Sequence, residues 1–306
     1  MEIKVFTAFS GYDSQCLALE RLQRENEDFS YDLVGWSEID PYAIRAHNAL
    51  FPWCHKRNYG DISQIDWNTV PDFDLFTYSS PCQDFSNAGK QAGGERGSGT
   101  RSSLLWECER AIRAKRPKYL LMENVAALVS KKFIKTCHRW LDTLHEIGYS
   151  NFPCIMNAKD YGVPQNRKRI FVVSILDPNA VFTFPRKIKL TRKLKDLLEP
   201  TVPEKYYLKD ERLYGIMQSS QKQADKGNGF AFNPTNGENV AHSVTSNAGN
   251  RKTDNFIQEP NRGGQIVLGW TRDAKGNIID RHPVNVANAV TSAKRDNTQN
   301  YVVEHE

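Results

Sequence analysis

The sequence has no Cys-x-x-Cys pair, no apolar run of about eighteen residues, and no glycine-rich loop ending in Gly-Lys-Ser or Gly-Lys-Thr. Each absence excludes a class of protein. Six cysteines standing apart (Cys16, Cys54, Cys82, Cys108, Cys137 and Cys154) point neither to a zinc site nor to a disulfide framework, and they fit a reducing compartment. With no long apolar stretch, and with Met1-Glu2-Ile3-Lys4 leading straight into a strand, neither a membrane span nor a signal peptide is expected; the expectation is a cytoplasmic protein. The missing Walker ending removes the nucleoside-triphosphate loop. Charge of one sign is in modest excess only: a net charge of +5 and a pI near 8.8 suit a nucleic-acid partner without demanding one. What is present, 306 residues with 39% hydrophobic and 25% charged, is the composition of a soluble globular chain of one large or two ordinary domains.

From residue 1 to about 176 the pattern is strand, loop, helix, repeated, with near-continuous apolar strands of the kind buried on both faces. Strands are expected at Ile3 to Phe9, Asp32 to Glu38, Phe73 to Tyr78, Tyr119 to Glu123, Phe152 to Met156 and Ile170 to Leu176. Helices are expected at Ser14 to Gln23, Pro41 to Leu50, Ser103 to Arg113 and Lys131 to Ile147. After Pro185 the texture changes. Arg186 to Leu198 is basic and helical in part, and from Gln218 the chain is rich in Asn, Gly, Ser, Thr and Gln, with few apolar residues for an independent core. A weak repeat lies within it, Val240 to Ser246 against Val286 to Ser292, each followed by a short strand at Asn255-Phe256-Ile257 or Tyr301-Val302-Val303. We therefore expect an α/β domain over residues 1–185 and a smaller β and irregular domain over 186–306.

In an open α/β sheet, ligands bind outside the carboxyl ends of the strands, so residues at those ends carry the functional reading. Ser80-Pro81-Cys82-Gln83 ends one apolar strand with a stiff turn and a thiol. Free cysteines are more often inert buried hydrophobes. The following segment, with Gly89, Gly93, Gly94, Gly97 and Gly99 among Lys90, Glu95, Arg96 and Arg101, reads either as a loop that closes over a substrate or as a plain linker. Phe9-Ser10-Gly11 is a strand-to-helix turn where glycine permits close backbone approach. Glu38, at the next strand end, can accept the ribose hydroxyls of an adenosine or cap a helix. Asp61, beside Gly60, can accept an adenine amino group or form a turn. Glu123 closes the very apolar strand that includes Met122. A carboxylate there must be either protonated, with a raised pKa and an acid role, or paired with an arginine. In Gln165-Asn166-Arg167-Lys168-Arg169, strand alternation puts Arg167 and Arg169 on one side, facing the crevice or, on an edge strand, water.

Taken in order, Phe9-Ser10-Gly11, Glu38, Gly60-Asp61, Pro81-Cys82-Gln83, Glu123-Asn124-Val125 and Gln165-Asn166-Arg167-Lys168-Arg169 resemble the DNA (cytosine-5)-methyltransferases, over roughly residues 3 to 175. Phe85 to Lys90, including Ser86, and Arg101 to Leu105 resemble that family too. The resemblance implies a Rossmann-like domain that uses S-adenosylmethionine and no metal. It implies Cys82 as nucleophile at carbon 6 of a flipped cytosine in double-stranded DNA, Glu123 at ring nitrogen 3, and Arg167 and Arg169 holding the base carbonyl and the catalytic elements. It further implies a cofactor along Phe9, Gly11, Glu38, Asp61 and Pro81, substrate or DNA contacts from Gln83, Ser86, Lys90, Arg101, Asn124 and Gln165, and a target-recognition region from about Arg186. The same cysteine and glutamate chemistry also suits a cytosine in tRNA, and a DNA-binding subunit without turnover is the third reading.

The chain departs from the family at two places. Asp13 and Ser14 follow Gly11 where the family usually carries small glycines. The closing Arg-x-Leu-Thr helix and Gly-Asn-x-x-Pro segment are not found, which leaves a second polypeptide that supplies them, a truncated chain or a shortened, inactive protein; a missing segment is the favoured reading, with weak methylation by this chain alone.

Overall fold

The computed structural model describes residues 1–81 and 104–200, and beyond those 202–203, 207–208, 210–225, 227, 232, 234–243, 255–258, 266–268, 270–272 and 278–281. It divides into two compact units, residues 1–156 with 168–186, and residues 157–167 with those from 187 onward. The change of texture after Pro185 falls beside the last boundary, between residues 186 and 187. Transfer of residues 157–167 to the other unit left no mark in composition.

The first unit is built on a six-stranded sheet. Its strands are β1 (Glu2–Ala8), β2 (Ser30–Ser37), β3 (Leu75–Tyr78), β4 (Tyr119–Val125), β5 (Ser150–Asn157) and β7 (Lys168–Ile175), in the order β2-β1-β3-β4-β7-β5. β1, β2, β3 and β4 pair in parallel, while β7 runs antiparallel to β4. Helices α1 (Ser14–Glu25), α2 (Pro41–Leu50), α3 (Leu105–Lys115) and α4 (Ile134–Ile147) make the crossovers. Strand order reverses between β1 and β3, which puts the ligand crevice of a doubly wound sheet outside their carboxyl ends.

Alternation explains why β1 is apolar without a break. Val5 enters one core with Leu33, Trp36 and Phe51, while the neighbouring Phe6 enters the other with Trp67, Phe73, Phe76 and Trp140. Phe6 is fully buried among aromatic rings 5.2–6.0 Å away, so its truncation to Ala costs about 3–5 kcal/mol. Across the pair, Phe6 stands opposite Gly35, where a β-carbon would lie 2.7 Å from the Phe6 and Tyr59 rings. Only glycine fits there.

Helix starts follow capping chemistry. Asp40 accepts from the amides of Tyr42 and Ala43 with Pro41 next in line, and Asp13 accepts from the Cys16 amide. α4 closes on Gly148 at φ 108°.

In the second unit β6 (Gln165–Asn166) pairs in parallel with β8 (Ala241–His242). β9 (Phe256–Gln258) pairs antiparallel with β10 (Ile266–Leu268), and β11 (Trp270–Arg272) with β12 (Ile278–Arg281). An α-helix, α5 (Asp210–Ala224), forms where polar composition gave no helical signal, and Arg186 to Leu198 contains only a 3-10 turn at Leu194–Leu197. The few apolar residues do gather, as Leu194, Tyr207, Ala241 and Ile257, and as Leu208 and Phe256 with Leu213, Ile216 and Phe232. The first copy of the repeat holds β8 and β9; the second lies outside the described residues.

Candidate active site

Three turns at the carboxyl ends of β1 and β2 and at residues 58–61 are cross-linked. The Glu38 carboxylate accepts the Gly11 amide on one oxygen at 2.9 Å, and the Ile39 and Asp40 amides on the other at 2.8 and 2.9 Å. Asn58 brackets the Glu38 backbone, accepting its N–H at 3.2 Å and donating to its carbonyl at 3.1 Å, and also accepts the Gly60 amide at 2.9 Å. Ser37 Oγ donates to the Gly60 carbonyl at 2.7 Å. Asp61 is exposed and accepts from the amide and hydroxyl of Ser63.

The backbone here is unusual. Phe9, Gly11 and Asp13 all have positive φ, at 54°, 60° and 65°. Strain of this kind gathers at ligand sites, where surrounding contacts hold it. Asp13 shows how: fully buried, it accepts from Thr7 Oγ1 at 2.5 Å and the Cys16 amide at 3.1 Å, and lies 3.6 Å from His47 Nε2. His47 is also fully buried and stacks on Trp36 with centroids 3.7 Å apart. The departure at Asp13 is thus compensated by a polar cluster beneath the turn, which the sequence did not announce.

The end of β3 is fastened from both sides. Gln15, in the first turn of α1, donates to Ser79 Oγ at 3.0 Å. Asn124, 1% exposed at the end of β4, donates to the Ser80 carbonyl at 3.3 Å and to Ser80 Oγ at 3.2 Å, and accepts the Val125 amide at 2.8 Å. Asn124 is thus turned toward the backbone that leads into Pro81. Beside it, Glu123 Oε1 meets Arg169 Nε at 2.9 Å, both side chains 20% exposed. Of the two states anticipated for Glu123, the structure has the arginine pair. Because β7 is antiparallel to β4, Arg169 at its start lies across from Val125 at the end of β4.

Arg167 belongs to the second unit, where its amide donates to Asn157 Oδ1 at 2.9 Å. Gln165 is there too, 1% exposed, and its Nε2 has no hydrogen-bond partner among the described residues. Cys82, Gln83, Ser86, Lys90 and Arg101 lie outside the described residues. The other thiols bear on the choice of nucleophile. Burial pushes Cys16 and Cys108 well above the ordinary thiol range, Cys54 up to about 12 and Cys137 up to about 11. These four are poor thiolates near neutrality.

Ile39, Asn58 and Asp13 also belong to these linked turns, and reading by strand ends gave none of them a role. Ile39 offered a signal, an apolar side chain just past a strand end, and it is 66% exposed beside Glu38. Among the described residues no three His, Cys, Asp or Glu side chains gather to hold a metal, and no helix is long and apolar enough to cross a membrane.

A reversed strand order with an acidic, glycine-lined turn at the switch point and a clamped β3 end defines an α/β methyltransferase fold of the Rossmann-like class. The S. pombe Dnmt2 methyltransferase shares that fold, with a TM-score of 0.65 at 18% identity, covering 86% of this chain and 78% of that one. Residues 3–304 match the family described as C-5 cytosine-specific DNA methylase, and the chain belongs to it. It is 40% identical over 262 residues to the type II methyltransferase M2.ScrFI of Lactococcus lactis subsp. cremoris, covering 69% of this chain and 71% of that protein. It is 31% identical to the orphan methyltransferase M.SssI of Spiroplasma monobiae, covering 73% and 72%. It also matches orphan methyltransferases of Bacillus phages SPR and rho11s, spanning 65% and 56% of their length.

Proposed function

We propose that this chain transfers a methyl group from S-adenosylmethionine to carbon 5 of a cytosine in duplex DNA, with Cys82 as the nucleophile. The observation that carries the reading is the joining of two strand ends. Asn124 ties the residue two before Cys82 to β4, and its neighbour along β4 is the Glu123 held by Arg169. A nucleophile and a carboxylate on adjacent strand ends can reach opposite edges of one pyrimidine.

The residues present fit the cofactor. Gly11 and Gly60 have positive φ, and a β-carbon on either would meet nothing within 4 Å, so open space lies beside both turns. Glu38 offers a carboxylate fixed by three amides for ribose hydroxyls, Phe9 and Ile39 an apolar flank for a purine, and Asp61 an acceptor for its amino group. When bound, the cofactor supplies an electrophilic methyl on a sulfonium, which needs no metal.

Carbon 5 of cytosine is a weak nucleophile. Addition of the Cys82 thiolate to carbon 6 makes the ring enamine-like, and Glu123 offsets the charge that develops at ring nitrogen 3 by hydrogen bonding or protonation. Arg169 orients that carboxyl, and Arg167 holds the base carbonyl. After methylation the carbon 5 proton leaves and the thiol is expelled, which restores Cys82. A base inside a duplex is out of reach, so it is flipped, with residues 83–101 closing behind it and the second unit reading the target.

The test is incorporation of labelled methyl from S-adenosylmethionine into duplex DNA or tRNA, with Cys82→Ser beside the natural chain. Label in duplex DNA that vanishes with Cys82→Ser supports the proposal. Label confined to tRNA moves the substrate to RNA, and label in neither, with duplex binding intact, leaves a binding subunit.

A further inference from the structure

We infer that the exposed face of the first two turns of α4, with the turn before it, is a second contact surface for the phosphate backbone of duplex DNA, on the catalytic unit itself and separate from the target-recognition region. The inference rests on the proposed DNA substrate.

Three observations carry it. First, the cations cluster. Lys131, Lys132, Lys135, His138 and Arg139 are all exposed, while Phe133, Thr136, Cys137 and Trp140, from the same stretch, are buried. Acidic residues on this face begin only with Asp142 and Glu146. Second, Lys131 and Lys135 are not held by acidic neighbours among the described residues. Elsewhere in the unit several cations are paired: Arg57 with Asp32, Arg110 with Glu107, Arg113 with Glu109 and Lys115 with Asp72. Among the described residues neither Lys131 nor Lys135 meets a carboxylate. Third, the placement runs against helix stability. The start of α4 has no acidic residue in its first turn and no side-chain cap, and lysines there oppose the helix dipole, at a cost of about 0.3–1 kcal/mol each. A local rule broken in this way marks a site kept for another purpose.

Topology puts the face where DNA must lie. α4 follows β4 through a short 3-10 turn, so its basic end is at the same end of the sheet as Glu123 and Asn124, and its acidic end points away. A duplex carries closely spaced phosphates, and lysines that bind them release counterions as they do so. Such interactions hold the duplex in register without reading sequence.

The test compares the full-length chain with Lys131→Gln/Lys135→Gln and with a control pair, Arg24→Gln/Lys118→Gln, which removes the same charge at the opposite end of the sheet. Duplex affinity is measured by fluorescence anisotropy from 50 to 200 mM salt, with methylation of the same duplex run beside it. Removing one phosphate-binding lysine lowers the log–log salt slope by about 0.9, so the α4 pair should weaken about 12-fold less than the natural chain across that range. Its affinity should be lower at 50 mM salt, with the KM for S-adenosylmethionine unchanged. The inference is overturned if the α4 pair and the control pair give the same slope while the natural chain methylates duplex DNA. If the natural chain neither binds nor methylates a duplex, the functional proposal falls and this inference with it.

Discussion

Asn124 fastens the Ser80 backbone at the end of β3, and under the proposed function Asn124→Ala should show it in both stability and rate. In the folded chain its amide serves the Ser80 carbonyl and hydroxyl, and its oxygen serves the Val125 amide. The Ser80 hydroxyl can rotate to another partner; the two backbone groups cannot. A buried group left unsatisfied costs about 1–3 kcal/mol, and Ser80 is 4% exposed, while Val125 is half-buried and open to some water. The expected loss is therefore about 2–3 kcal/mol, which in a chain of this size lowers Tm by roughly 3–5 °C. The catalytic effect should be larger than the stability effect suggests. Under the proposed function the reacting thiol is two residues beyond Ser80, and with the β3 end released a displacement of about 1 Å at a reacting atom would cost on the order of 100-fold in kcat. The KM for S-adenosylmethionine should stay within about two-fold, because Glu38 and Gly11 are held by other bonds. Asn124→Asp keeps the shape but turns an oxygen toward the Ser80 carbonyl, so it should lose more turnover than the Ala variant. Scanning calorimetry with initial-rate methylation decides the matter. A wild-type Tm together with wild-type kcat in Asn124→Ala would refute the clamp.

Glu38→Ala removes a charged acceptor from three amides and from the ribose position, so isothermal titration should find S-adenosylmethionine binding weakened by about 10- to 100-fold; an unchanged affinity would remove Glu38 from the cofactor site. At Asp13, φ is 65° and the side chain caps α1, so Asp13→Ala loses the cap and keeps the strain, while Asp13→Gly loses the cap alone. In urea melts the glycine variant should be the more stable by about 1–2 kcal/mol, the reverse of the usual helical order, and a more stable alanine variant would contradict the strained turn. Burial raises Cys137 from 9.0 to about 11 and Cys54 from 9.0 to about 12. The unfolded chain therefore releases these protons first as pH rises, so the stability they contribute is complete below pH 9 and is lost as pH climbs through 11 to 12. Cys137→Ala should flatten the fall in stability between pH 9 and 11, and an equally steep fall would show that the thiol is not its source.

Strands were legible where the chain is apolar on both faces. β1, β2, β3, β4, β5 and β7 all fall within a few residues of their expected places, and the central ones stand out because a strand inserted between two cores is built mostly of apolar side chains. The expected helix starts at Ser14 and Pro41 coincide with those observed, where Asp13 and Asp40 cap them. The second unit was read only as polar and partly β. Its strands run from two to four residues, too short for alternation to register, and α5 is held by a few scattered apolar side chains rather than by a continuous apolar stripe.

The candidate site divides along a different line. Residue types at strand ends could be read from spacing alone, but not the bonds among them, which depend on strand direction. Arg169 stands at the start of its strand, and in an all-parallel sheet the start of a strand is at the far end from the crevice. Only the reversal of β7 brings that guanidinium to the end of β4, where it pairs with Glu123. The reversal has a chemical consequence. With a parallel neighbour, Arg169 would stand at the opposite end of the sheet from Glu123. The antiparallel neighbour instead sets a guanidinium 2.9 Å from the carboxylate, which under the proposed function would meet the base edge already oriented. The role proposed for Glu123 therefore depends on the direction of β7 as much as on its own chemistry.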